Sequence, residues 1–127
     1  MKINKNIVEN IYTIYVLKCE NNKFYIEKAG KTEDYEKRIS DHLNGIGCEF
    51  TKKYKPINII EIKHNMDSSE EDKLTKLYMA KYGIDNVRGG SYTKFILSEN
   101  EKKPLKEELY SIFDECFSCE EYGQFIK

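Results

Sequence analysis

The pattern of apolar positions divides the chain into short strands and amphipathic helices. Ile11-Tyr12-Thr13-Ile14-Tyr15-Val16-Leu17 is almost wholly β-branched or aromatic, the composition of a strand. Glu20-Asn21-Asn22-Lys23 reads as a turn. Lys23 to Glu27 then alternates, with Phe24 and Ile26 on one face and Tyr25 on the other. The two segments form an antiparallel hairpin.

Apolar residues next recur every four positions at Tyr35, Ile39 and Leu43, the buried stripe of a helix that Thr32 caps and Gly45 closes. Arg38 and His42 share a face beside that stripe. Gly45 to Pro56 reads as a loop carrying Lys52, Lys53 and Lys55, and Ile57 to Ile62 as a third strand. Ser68 and Glu71 have capping-box spacing at the start of a second helix, whose apolar side is Leu74, Leu77, Tyr78 and Tyr82. Arg88-Gly89-Gly90-Ser91 is a turn, and a last helix begins near Pro104 and runs through Leu105, Leu109, Ile112 and Phe113. This order predicts an α/β fold: a small three-stranded antiparallel sheet flanked by helices, plus a C-terminal helix. Residues 1–95 form the main domain, and 96–127 the helix and a tail.

Composition narrows the function classes. The 127 residues suffice for one core, and their net charge of −1 provides no global field for nucleic acid or membrane. The charge is uneven: residues 1–66 carry 12 basic and 9 acidic side chains, net +3, against −4 for the remainder. A polyanion is expected to meet the first half. No stretch reaches the about 20 apolar residues of a membrane span. The N-terminus lacks a signal-peptide pattern, and four cysteines without framework spacing suit a reduced compartment, cytoplasmic or nuclear.

Several motifs combine. Ile14-Tyr15-Val16-Leu17-Lys18, Phe24-Tyr25-Ile26 and Gly30-Lys31-Thr32, followed by Arg38-x-x-x-His42 and Glu71, resemble the landmarks of the GIY-YIG nuclease family in their proper order. Thr51 to Ile57 and Tyr82 to Tyr92 look like the branch found in large DNA viruses and some protists. The resemblance spans about residues 11–92 and implies a hydrolytic, metal-dependent DNA endonuclease or nickase. It implies Mg2+ (or Mn2+) on Glu71, with Glu70 the neighbouring alternative, and DNA as the partner. Arg38 would contact a phosphate oxygen, Tyr15 and Tyr25 would orient or deprotonate water, and His42 would accept a proton or orient a tyrosine. Lys31, Lys52, Lys53 and Lys55 would hold the DNA backbone.

The sequence departs from the family most clearly at Glu27-Lys28-Ala29, inserted between Ile26 and Gly30. These residues are expected in an exposed bulge that leaves Tyr25 in the family position and turns Lys28 to solvent or DNA. The rival readings are a catalytically impaired nucleic-acid-binding protein and a protein-interaction module. In the tail, Cys116-x-x-Cys119 with Gly123-Gln124 resembles a truncated zinc knuckle; two cysteines do not close a tetrahedral site, so zinc is not expected. Oligomeric state is not legible in the sequence.

Overall fold

A computed structural model describes residues 11–30 and 34–116. Strand β1 (Tyr12–Cys19) turns through a single 3-10 turn at Glu20–Asn22 into β2 (Lys23–Ala29). Asn21 and Asn22 take left-handed backbone there, which asparagine accepts more readily than most residues. Helix α1 (Tyr35–Leu43) and a short α2 (Glu49–Lys53) follow, then β3 (Pro56–Met66), α3 (Glu70–Tyr82), β4 (Val87–Gly89) and α4 (Glu99–Cys116).

The α/β sheet with flanking helices and a C-terminal helix is as the sequence pattern predicts. The sheet has a fourth strand, however, in the order β3-β1-β2-β4. β4 pairs parallel to β2, Phe24 with Val87 through Ile26 with Gly89, where the sequence reads as a turn. Three residues are too few for a strand period to register. Gly89 makes the pairing possible: its φ is +151°, and a Cβ there would lie 2.3 Å from the Ile26 carbonyl oxygen.

The alternating faces of the hairpin build two cores. Ile14, Val16, Phe24 and Ile26 pack on α3 and α4 through Leu74, Tyr78, Met79, Leu105 and Leu109. Tyr15, Leu17, Cys19 and Tyr25 pack on the other side against Ile39 and Phe50. Tyr15 and Tyr25 of the hairpin thus face α1 and α2.

Several local expectations change. Asp34, not Thr32, caps α1, accepting from the Lys37 amide at 3.2 Å; Thr32 and Lys31 lie outside the described residues. At the other end Gly45 closes the helix as expected, with Ile46 N donating to Asp41 O and Gly45 N to His42 O, the paired bonds of a left-handed helix end. The buried side of α1 is Ile39 and His42, and Leu43 is 41% exposed, because the helix turns its polar flank toward the hairpin tyrosines. The expected capping box at Ser68 and Glu71 does not form: Ser69 is the cap residue and makes no side-chain capping bond, while Asp67 accepts from its amide. The reciprocal bonds occur instead at Ser98 and Glu101, opening α4 five residues before Pro104. Gly45 to Pro56 contains α2 rather than loop alone. Residues 117–127 and the side chain of Cys116 lie outside the described residues, and with them the knuckle-like tail.

Candidate active site

The register of the hairpin decides the site. Cys19 pairs with Lys23, so Tyr15 lies directly opposite Glu27 and Leu17 opposite Tyr25. All four share one face. The expected exposed bulge is absent. Glu27, Lys28 and Ala29 continue β2 in unbroken pairing with Tyr15, Ile14 and Thr13, and Ala29 is fully buried. The physical reason is the open flank of β1: its Thr13 to Tyr15 stretch needs pairing partners, and an extended β2 supplies them.

The Glu27 carboxylate stands where four expected site residues meet. Its Oε2 accepts from the Tyr15 hydroxyl at 2.9 Å and from Arg38 Nε at 2.7 Å, with Arg38 Nη2 also on that oxygen. Its Oε1 accepts from the Tyr25 hydroxyl at 2.6 Å, and His42 Nε2 lies 3.4 Å away. Burial alone would raise the Glu27 carboxyl; the hydrogen bonds from His42, Tyr25 and Arg38 outweigh it and hold the group down at about 2. The phenols respond in the opposite sense. Burial, then the Glu27 charge, pushes both Tyr15 and Tyr25 far above the ordinary tyrosine range.

Helix α1 brings Arg38 and His42 to the tyrosines one turn apart, and each is braced differently. Arg38 is partly exposed at the rim. His42 is buried, its Nδ1 2.8 Å from Thr51 Oγ1 of α2 and its ring 5.0 Å from that of Tyr25. Gly47 is needed beneath it, since a Cβ there would lie 2.0 Å from His42 Nδ1. A cleft of about 260 Å3 opens over this cluster, lined by Tyr25, Glu27, Arg38, Asp41, His42 and Cys48 among others.

Glu71 sits at the adjoining edge of β2. β4 ends at the level of Ile26, and beyond it the Lys28 amide donates to Glu71 Oε2 at 2.9 Å. Glu71 Oε1 lies 3.8 Å from Lys28 Nζ. Burial raises the Glu71 carboxyl, against the opposing effect of Lys28. Glu70 points elsewhere and pairs with Lys73 at 3.5 Å. Lys28, expected toward solvent or DNA, is half-buried between Glu71 and the ring of Tyr12, 5.0 Å from its centroid. Among the described residues no three His, Cys, Asp or Glu side chains cluster as a cage for a metal. A single carboxylate can hold a hard cation that keeps the rest of its shell as water and substrate oxygen.

Lys52, Lys53 and Lys55 are exposed at and just beyond the end of α2 and do not meet the four-residue cluster. Cys19 and Cys48 are free thiols, and burial pushes Cys19 up to about 12, so it offers no nucleophile. The residue the sequence reading did not count as part of the site is Glu27. The signal was present: the turn after Cys19 fixes the pairing, and two residues beyond Tyr25 must return to the tyrosine face.

Two tyrosines, an arginine and a histidine thus surround one anion on a small α/β sheet, with a second carboxylate at the next strand edge. Residues 11–83 match the GIY-YIG catalytic domain, and the chain belongs to that nuclease family. Among its relatives is a UPF0213 protein of Listeria welshimeri, 36% identical over 64 residues, which are 50% of this chain and 68% of the relative. A UPF0213 protein of Bacillus velezensis is 36% identical over 101 residues, 80% of this chain and 90% of the relative. UPF0213 protein YazA of Bacillus subtilis is 39% identical over 51 residues, covering 40% and 48%. These relatives are bacterial, which replaces the expected viral branch. No solved structure matches the chain. Among the described residues no helix is long and apolar enough to cross a membrane.

Proposed function

We propose that the chain is a metal-dependent endonuclease or nickase that hydrolyses a phosphodiester bond of DNA. The observation that carries this reading is the convergence of Tyr15, Tyr25, Arg38 and His42 on a single carboxylate. A phosphodiester presents the same kind of oxygen pair to a guanidinium fork and two hydroxyls. Arg38 would hold a non-bridging oxygen and stabilise charge as it builds there. Tyr15 and Tyr25 would orient the attacking water, and His42, held by Thr51, would keep Tyr25 in place. Glu71 would bind Mg2+ or Mn2+, which supplies charge stabilisation on the phosphate and on the leaving oxygen. Lys31, Lys52, Lys53 and Lys55 would contact the backbone of longer DNA. The family match and the uneven charge of the sequence support a nucleic-acid substrate.

A second reading, a DNA-binding protein impaired in catalysis, is favoured by one observation: Glu27 fills the anion position itself. Nicking of supercoiled plasmid separates the two. The endonuclease reading expects magnesium-dependent conversion to open circles, which Glu71→Gln removes. Glutamine retains an oxygen for the Lys28 amide and loses the charge that holds the metal. Glu71→Gln nicking at the parental rate would take Glu71 out of the mechanism. Salt-sensitive DNA binding without cleavage would establish the second reading.

A further inference from the structure

Glu27 is engaged more completely than a surface ion pair requires. Both carboxylate oxygens are used, one by Tyr15 and Arg38, the other by Tyr25 and His42. The strand that carries it is paired residue for residue with β1, so only its own side-chain torsions can move it. The cleft above opens directly onto it.

Three roles are open to such a group. A general base must accept a proton near neutral pH, and a carboxyl held down at about 2 does so poorly. A metal ligand needs oxygen lone pairs facing a cation site, whereas these face an arginine and two phenol hydrogens. An occupant of the anion position needs what is observed, a negative group satisfied by donors that the proposed reaction needs elsewhere. We propose that Glu27 is an intramolecular stand-in for the substrate phosphate, competing with it for Arg38, Tyr15, Tyr25 and His42. This inference rests on the endonuclease reading for the identity of the competitor. Its consequence is a threshold. A phosphodiester must first displace a charge-assisted hydrogen-bonded carboxylate, so substrate affinity is reduced by the fraction of time the position is free. A substrate with few other contacts would be rejected, and one that binds along a longer surface would be accepted.

The test compares the 127-residue parent, Glu27→Ala and Glu36→Ala, the last removing the same charge from the exposed first turn of α1. Two metal-free readouts are used: the thermal midpoint with and without inorganic phosphate, and the affinity for a short DNA duplex in EDTA at fixed salt. Glu27→Ala should melt below the parent and be restored in part by phosphate, because the anion reoccupies the donors that alanine left empty. Its DNA affinity should rise about tenfold or more, while Glu36→Ala tracks the parent. Adding Arg38→Ala should cancel the gain. A lower midpoint with no gain toward phosphate or DNA would make Glu27 a structural ion-pair partner and overturn the inference. Should Glu27→Ala fail to fold, Glu27→Gln retains the side chain without its charge, and no gain in that variant overturns the inference equally. Adding Mg2+ and plasmid separates the two readings. Tighter binding without nicking sustains the phosphate position and defeats the endonuclease. Equal affinity and equal nicking by parent and Glu27→Ala sustain the endonuclease and defeat the stand-in.

Discussion

Arg88 shows how a single charged residue underpins the site without touching it. It is 2% exposed, and its guanidinium donates to four backbone carbonyls, those of Ile84, Val87 and Lys94 at 2.7 Å and Phe95 at 3.1 Å. Burial lowers its affinity for the proton, yet it stays far from losing it. The guanidinium lies 5.9 Å from the centroid of the Phe50 ring, which in turn neighbours Tyr25 and Phe95. One side chain therefore ties the segment after α3 to the aromatic layer under the tyrosines. Arg88→Met matches the apolar surroundings and removes every donor, leaving four carbonyls without this partner, that of Val87 buried and the other three partly so. Each unsatisfied group costs about 1–3 kcal/mol, so a loss of at least about 3 kcal/mol is expected in urea unfolding. A loss below about 1 kcal/mol would show that water replaces the guanidinium there.

At the scale of elements, the legible parts of the fold are those with a period. The hairpin, the close of α1 at Gly45 and the apolar side of α3 at Leu74 and Tyr78 follow from alternation and helical spacing. Elements shorter than two periods were not legible. β4 has three residues and α2 five, and both are held by tertiary partners rather than by their own pattern. The capping-box spacing occurs at Ser68 and at Ser98, and only the second forms. At the first, Glu71 is drawn off by the Lys28 amide, a partner 43 residues away that local spacing cannot reveal. The candidate site divides in the same way. Tyr15, Tyr25, Arg38 and His42 come together as the motifs implied, whereas Glu27 enters only once the β1–β2 register is known. β4 buttresses that register from the far side, and Gly89 is its critical position. Gly89→Ala would put a Cβ 2.3 Å from the Ile26 oxygen at a φ of +151°. The strand must then withdraw from β2, at a cost of about 2 kcal/mol or more. Amide hydrogen exchange is the direct check: protection should fall at Phe24 to Ile26 while α4 stays protected. Unchanged exchange across β2 would show that β4 contributes nothing to holding the site strand.

At the scale of the whole molecule, the Glu27 cluster ties global stability to pH. The carboxyl stands at about 2 in the folded chain against an ordinary 4.5. The unfolded chain therefore takes up the proton first as pH falls. The stabilisation from Glu27 is complete above the ordinary carboxylate range, declines from about pH 5, and is gone below about pH 2. Its size is about 3 kcal/mol, and with the side chain 13% exposed little of it is screened. Glu71 works against it. Its carboxyl is raised, so its folded form binds the proton more readily and gains slightly on acidification. Asp67, Asp85 and Glu101 are lowered as well, by Ser69, Lys102 and Ser98, but they lie at the surface, where solvent leaves little of the effect. Glu27 is thus the principal source of the acid limb among these groups. Thermal melts of the parent between about pH 7 and pH 2 should show a steep fall below about pH 5. Glu27→Gln carries no titrating group at this position, so it should melt lower than the parent at neutral pH and lose less on acidification. The two curves should converge toward about pH 2, where the parental carboxyl is protonated as well. Parallel curves across the whole range would mean that the charge on Glu27 is not what holds the tyrosines, Arg38 and His42 together.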